Sequence, residues 1–176
     1  MTSKAKINQR LDQLNQQLES LHQRLRSRSH EHLNYKPSPE RWSAMQNLHH
    51  LMRAEGFALQ YVKKKLSFVP QLSPITWKTR WRGWMACTYL SLPIKVKAPK
   101  AVREELPEDS QLEAVVVEWK AKRLELATYL NGLPEEILNK EIYKHPVAGR
   151  LSLYGMLDFM KAHVKRHQGQ IDRTLP

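Results

Sequence analysis

The sequence predicts an all-α protein, a four-helix bundle with a long crossover between its second and third helices. Three observations predict this fold. Four segments of about 20 residues or more place apolar residues on one helical face, prolines gather between the second and third segments, and no convincing run alternates apolar and polar residues as a strand does. The length of 176 residues suits one hydrophobic core, so residues 1–176 are assigned to a single domain.

The first predicted helix carries an apolar stripe whose members recur at intervals of four and three residues. They are Ile7, Leu11, Leu14, Leu18, Leu21 and Leu25. A coiled-coil dimer would use such a seam, but the first helix of a bundle uses it without a partner. We therefore favour the bundle.

Start signals define the later helices. Ser43 and Gln46 form the pattern of a capping box, which opens a second helix that runs to about Leu66. Prolines recur through residues 67–109, which predicts a long, mostly irregular crossover.

The third helix is predicted to begin at a second capping-box pattern, Ser110-Gln111-Leu112-Glu113, and to end at Asn131-Gly132. A loop containing Gly149 follows, and a fourth helix begins at about Ser152.

The formal net charge is +12, and the excess is uneven along the chain: residues 56–100 carry nine bases and no acid. Trp77, Trp81 and Trp84 lie within this basic block on one helical stripe. Two interpretations compete. The indoles anchor a short helix to the core, or they stack on nucleic acid or insert into an anionic membrane surface. We favour anchoring and expect no nucleic-acid partner.

No uncharged stretch reaches the roughly 20 residues of a membrane-spanning helix. The first residues are polar and lack the apolar region of a secretory signal, so a cytoplasmic location is expected. Cys87 is the single cysteine. We expect it to be a small apolar filler, and any metal site must use histidine or carboxylate ligands.

Two histidines of the fourth predicted helix fall on its buried face. At about 100° per residue, His163 and His167 lie on the same stripe as Met156 and Met160. Because His163 and His167 are four residues apart, their imidazoles stack one turn apart and can chelate one metal ion. The same pattern also occurs in histidines that are ordinary core residues.

The second predicted helix supplies a third candidate ligand. His50 lies at the edge of the apolar arc beside Phe57 and Tyr61, whereas His49 falls among polar residues and is expected to be solvated. Three imidazoles without a fourth protein ligand describe an open site, as catalytic sites usually are. Phe57 and Tyr61, with the two methionines of the fourth helix, are expected to line its cavity.

Glu55 is an unusual residue for the leucine stripe of the second helix. One hypothesis makes it a catalytic proton carrier or an acceptor behind the ligands, and the other pairs it with an arginine or lets it reach solvent at a helix-packing edge. We favour the second. His22, His30 and His32 are expected to be surface residues.

Several fragments together resemble a known family: Trp42-Ser43, then His50-Leu51, a late Gly149-Arg150-Leu151-Ser152-Leu153, and His163-x-x-x-His167-Gln168-x-Gln170-Ile171. Val96-Lys97-Ala98-Pro99-Lys100 also resembles the stretch before helix 3 in one branch. In this order and spacing, they resemble the DinB-like (YfiT-like) metalloenzymes over about residues 38–175.

The resemblance implies a down-up-up-down bundle that binds nickel or zinc at His50, His163 and His167. It also implies a thiol S-transferase or a hydrolase, with a low-molecular-weight thiol as a further cofactor, and a homodimer. The substrate class does not transfer with the fold.

Our leading hypothesis is a metal-dependent enzyme that acts on a small, anionic substrate drawn by the basic residues 78–100. The alternative is a non-enzymatic bundle in which the metal site is structural or vestigial, and which binds an anionic partner through its basic surface.

Overall fold

A computed structural model describes residues 2–92, 105–145 and 148–175. The elements in chain order are α1 (Ser3–Leu25), α2 (His30–Asn34), α3 (Ala44–Ser67), α4 (Trp77–Ser91), α5 (Leu112–Gly132), α6 (Glu135–Leu138), β1 (Glu141–His145), β2 (Gly149–Ser152) and α7 (Leu153–Asp172). The fragment Val96–Lys100 lies outside the described residues.

Four long helices, α1, α3, α5 and α7, form the bundle. The main packing of α1 is against α5 and α7, and α3 packs against the same two helices. Consecutive long helices α1 and α3 therefore lie across the bundle from each other. All six members of the α1 seam are buried in the common core. The chain uses this seam within itself, as the bundle prediction requires.

The capping predictions have mixed outcomes. Ser43 and Gln46 form both hydrogen bonds of the capping box before α3. Helix α5 instead begins at Leu112 without a side-chain cap, so the box predicted at Ser110 is wrong. The Ser110 hydroxyl is hydrogen-bonded to His49 Nε2 at 2.8 Å. A tertiary partner thus outcompetes the local cap.

The crossover is more regular than predicted, because α4 occupies 15 of its residues. This helix packs closely on α7. The side chains that face the bundle are small or polar at three of four buried positions: Thr79, Gly83, Ala86 and Leu90. The anchoring hypothesis for the tryptophans is wrong, since Trp77, Trp81 and Trp84 are 72%, 55% and 61% exposed.

A two-stranded antiparallel hairpin, β1–β2, precedes α7 and is absent from the sequence prediction. Its strands have only five and four residues, which is too short for a clear alternating pattern. Glu141 on β1 accepts hydrogen bonds from Thr79 and Arg82 of α4. The hairpin thereby ties the crossover helix to the start of α7.

In the described residues, no helix is long and apolar enough to cross a membrane.

Candidate metal centre

Three histidines from two helices meet at one end of the α3–α7 interface. The ligand atoms of His50, His163 and His167 all lie within 4.8 Å of one another. His50 and His167 are buried, at 3% and 6% exposure, whereas His163 is only partly buried. The cluster therefore has two enclosed members and one that borders solvent.

The three rings present the same nitrogen to a common point. His163 Nε2 lies 3.3 Å from His50 Nε2 and 3.1 Å from His167 Nε2. Metal–imidazole bonds of about 2.0–2.1 Å in a tetrahedral arrangement separate neighbouring ligand nitrogens by about 3.3–3.4 Å. The donor set thus fits a divalent cation bound by three imidazoles.

Asn47 orients one of these rings. Its Nδ2 donates to the Ser43 carbonyl at 2.8 Å, which turns Oδ1 toward His167. The Nδ1–H of His167 donates to that oxygen at 2.8 Å. With Nδ1 protonated, Nε2 of His167 carries the lone pair that a metal requires.

Trp42, which is itself only partly buried, packs against two rings of the cluster. Its ring centroid lies 4.8 Å from that of His50 and 6.3 Å from that of His167, and it is nearly parallel to the His167 ring. An indole in this position restricts the rotation of both imidazoles and limits water beside them.

Burial favours the neutral form of two histidines of the cluster. It lowers the pKa of His163 to about 3, and electrostatic repulsion from His50, His145 and Arg166 acts in the same direction. Burial is also the main reason why the pKa of His167 is well below its usual value. Near neutral pH, both imidazoles therefore offer lone pairs rather than protons.

A chain of aromatic rings leads to His163. Phe159 lies 5.8 Å from His163 between ring centroids, His145 lies 4.2 Å from Phe159, and Tyr143 lies 6.2 Å from His145. Tyr61 meets Tyr143 edge to face at 5.6 Å. Tyr61, which the sequence predicts as a lining residue, thus belongs to a row of aromatic rings that ends beside His163, the partly exposed member of the cluster. We call this row the aromatic wall.

The sequence did not predict Asn47, His145 or Phe159 as site residues. The local signal for Asn47 is its position three residues before His50, which places both on adjacent turns of α3. His145 carries no comparable signal, because the β hairpin that places it near Phe159 was not predicted.

The other predicted lining residues differ in their surroundings. Met156 and Met160 are buried in the main core. Phe57 is also predicted to line the cavity, but its side chain is 44% exposed, so it is not enclosed as the two methionines are. Every residue of α3 from Ala44 to Met52 is buried. After Met52, neighbouring elements bury only one face of α3, and Phe57 points about 160° from that face.

The prediction for His49 is also wrong. His49 is buried, because the segment containing Ser110 covers this part of α3. Burial is the main cause that lowers the pKa of His49, and the positive charge of the nearby Arg53 contributes. His30 and His32 are exposed as predicted, and His22 is partly buried beside Glu113.

Glu55 does not have the surroundings of a proton carrier. Its Oε2 accepts hydrogen bonds from Trp119 Nε1 at 2.8 Å and Arg123 Nε at 3.0 Å. Its Oε1 accepts another from Arg123 Nη2 at 2.8 Å. Both oxygens accept hydrogen bonds from these donors, so the structure shows the arginine pairing that the sequence favours over a proton carrier.

Acid is expected to destabilise the fold partly through His145. Burial lowers its pKa to about 4, while the unfolded chain has a pKa of about 6.5. Between these values the unfolded state binds the proton and the folded state does not, so the free energy of unfolding falls as pH drops through this window. Thermal unfolding followed by circular dichroism at about pH 7 and about pH 4.5 measures this loss.

His145→Gln should show a smaller fall in melting temperature over the same pH interval. The control is His32→Gln, because His32 is exposed. Equal pH dependence in wild type and His145→Gln would refute the contribution of His145.

Comparisons with known proteins agree with this architecture. No curated protein matches the sequence. The solved structure of YfiT from Bacillus subtilis, described as a probable metal-dependent hydrolase with an unusual four-helix bundle topology, is similar to this chain with a TM-score of 0.61 and 15% identity. The alignment covers 96% of this chain and 85% of YfiT, which confirms the predicted bundle fold.

The family model of the DinB superfamily matches residues 13–171. The chain belongs to the DinB superfamily.

Proposed function

We propose that this protein is a metal-dependent enzyme whose divalent cation is held by His50, His163 and His167. The observation that carries the proposal is the convergence of three Nε2 atoms, with His163 Nε2 at 3.3 and 3.1 Å from the other two. Three neutral imidazoles bring no compensating negative charge, so the cation keeps its full charge for polarising a further ligand.

Nickel or zinc is the proposed metal, because imidazole ligands suit both ions. When bound, such a cation lowers the pKa of a water or thiol ligand and produces a nucleophile near neutral pH. The partly exposed position of His163 supports access to an open coordination position from solvent.

The proposed reaction is hydrolysis or thiol S-transfer, which share this activation of a nucleophile. The description of YfiT supports the hydrolase class, and the family resemblance supports a low-molecular-weight thiol. The aromatic wall of Tyr143, His145 and Phe159 would contact an apolar part of a small substrate. Arg166, whose charge acts on both His163 and His167, supports an anionic group on that substrate.

The chain's own groups have defined tasks in this proposal. Asn47 holds the His167 tautomer, and Trp42 packs against the rings of His50 and His167. Tyr143 keeps its proton, because burial raises its pKa to about 12, so its hydroxyl is a donor rather than a base.

The test is elemental analysis of protein purified without an affinity tag or added metal, compared with the double variant His163→Ala/His167→Ala. We expect close to one nickel or zinc per wild-type chain and none in the variant. A second control, His30→Ala/His32→Ala, removes two exposed histidines and should retain the metal.

Chelation distinguishes an enzyme from a bundle with a structural metal. In an enzyme of this kind, chelation removes activity while the helical circular dichroism spectrum persists, because the core does not depend on the ion. Loss of the fold on chelation would favour a structural site. If both proteins are empty, and added nickel or zinc neither binds nor raises the melting temperature, the proposal is wrong.

A further inference from the structure

Helix α4 presents three tryptophans to solvent on the side opposite its packing surface. We call Trp77, Trp81 and Trp84 the tryptophan face; all are more than half exposed. At about 100° per residue, this face is centred about 160° from the buried positions of the same helix. The indoles therefore point away from the bundle.

Several contacts hold α4 in this orientation. A Cβ atom on Gly83 would lie 3.7 Å from the Cα of Gly155, so α4 and α7 approach closely. Arg82 Nη2 donates to the Glu141 carboxylate at 2.8 Å. Arg166 Nη1 donates to the carbonyls of Leu90 and Leu92 at the end of α4. Exposure of the indoles thus follows from the fixed packing of the helix.

Basic side chains flank the tryptophan face. Lys78 and Arg80 are exposed on either side of it, and Lys78 Nζ lies 5.7 Å from the Trp77 ring centroid. Residues 56–100 contain no acidic residue in the sequence. A second copy packed face to face would bring like charges together, whereas an anionic surface would complement them.

The shape of the face distinguishes two anionic partners. Three indoles in a row along one helix form a convex ridge, with a rise of about 6 Å and then about 4.5 Å between them. Single-stranded nucleic acid is usually bound in a basic groove with stacking platforms. A ridge of tryptophans beside lysine and arginine instead matches a helix that lies in the interface of a lipid bilayer.

We propose that the tryptophan face binds the surface of bilayers rich in anionic phospholipid. The indoles lie at headgroup level with their N–H groups toward water, and Lys78 and Arg80 contact lipid phosphates. This peripheral contact is independent of the metal site proposed above, and it brings the chain to a membrane surface without a spanning helix.

The test is sedimentation of the full chain with vesicles. One set is phosphatidylcholine alone, and the other contains about 30% phosphatidylglycerol, a fraction that gives the surface a strong negative potential. We expect binding to the second set at low salt, weakening as salt rises, with a blue shift of tryptophan fluorescence. Trp77→Ala/Trp81→Ala/Trp84→Ala should bind at least about tenfold more weakly, and Lys78→Gln/Arg80→Gln about 30-fold more weakly.

Matched controls separate this effect from general changes of the surface. Val117→Ala/Leu124→Ala removes two other exposed apolar side chains, on α5, and should bind vesicles like wild type. All variants should keep the helical spectrum and melting temperature of wild type, because the replaced side chains are exposed.

Three outcomes would overturn the proposal. One is absence of binding to the anionic vesicles at low salt, and another is unchanged binding by the triple variant. The third is tryptophan-dependent binding of a single-stranded oligonucleotide, or tryptophan-dependent dimerisation in sedimentation velocity, without binding to vesicles.

Discussion

Glu55→Ala is expected to lower the free energy of unfolding by about 3–5 kcal/mol, because it leaves a buried guanidinium without its counter-ion. Glu55 and Arg123 are 6% and 3% exposed at the side chain, and two hydrogen bonds from Arg123 reach the carboxylate. Arg123 also donates to the Leu14 carbonyl, so one network joins α1, α3 and α5. Urea denaturation followed by circular dichroism measures the loss.

Two comparisons give this prediction its specificity. Glu125→Ala breaks the exposed pair with Lys63 and should leave the denaturation midpoint close to that of wild type. Glu55→Met/Arg123→Met removes both buried charges together and should be more stable than Glu55→Ala. If Glu55→Ala and Glu125→Ala unfold at the same urea concentration, the buried pair of Glu55 and Arg123 does not stabilise the fold as predicted.

Asn47→Ala is expected to weaken nickel or zinc binding by about 10–100-fold while leaving the fold intact. The reason is that the hydrogen bond from His167 Nδ1 to Asn47 Oδ1, at 2.8 Å, sets both the tautomer and the ring orientation. Without this acceptor, the His167 ring can adopt several orientations in the metal-free protein, and metal binding must restrict it to one. Isothermal titration calorimetry of the metal-free protein with each ion measures the change.

Asn47→Asp keeps an acceptor for His167 Nδ1 but loses the donor to the Ser43 carbonyl, so its affinity should lie between those of Asn47→Ala and wild type. Asn8→Ala changes an exposed asparagine of α1 and should bind like wild type. Unchanged affinity in Asn47→Ala would show that Asn47 does not position the ligand.

The long helices were predictable because their signals are local. The α1 seam, the capping box at Ser43 and the Asn131-Gly132 stop are all patterns of residues close in sequence, and each coincides with a helix feature of the structure. The capping box at Ser110 failed for a tertiary reason, since its hydroxyl is hydrogen-bonded to His49.

The candidate site was predictable to different degrees. Four-residue spacing placed His163 and His167 together, the wheel of the second helix added His50, and the family resemblance implied the same three residues. Wheel geometry placed both α7 histidines in the middle of the buried stripe, but His163 is at its edge and partly exposed. This edge position, which follows from how α7 packs, is what makes the cluster reachable from solvent.

By itself, the sequence determined the four amphipathic helices and the one-turn separation of His163 and His167. Helical periodicity, caps and breakers are properties of contiguous residues, so they can be recognised before the chain folds. Only the tertiary structure decided which helical faces are covered. In the folded chain, Arg123 is buried beside Glu55 and the tryptophan face is exposed to solvent. The cover over each face comes from elements distant in sequence, and no local pattern specifies it.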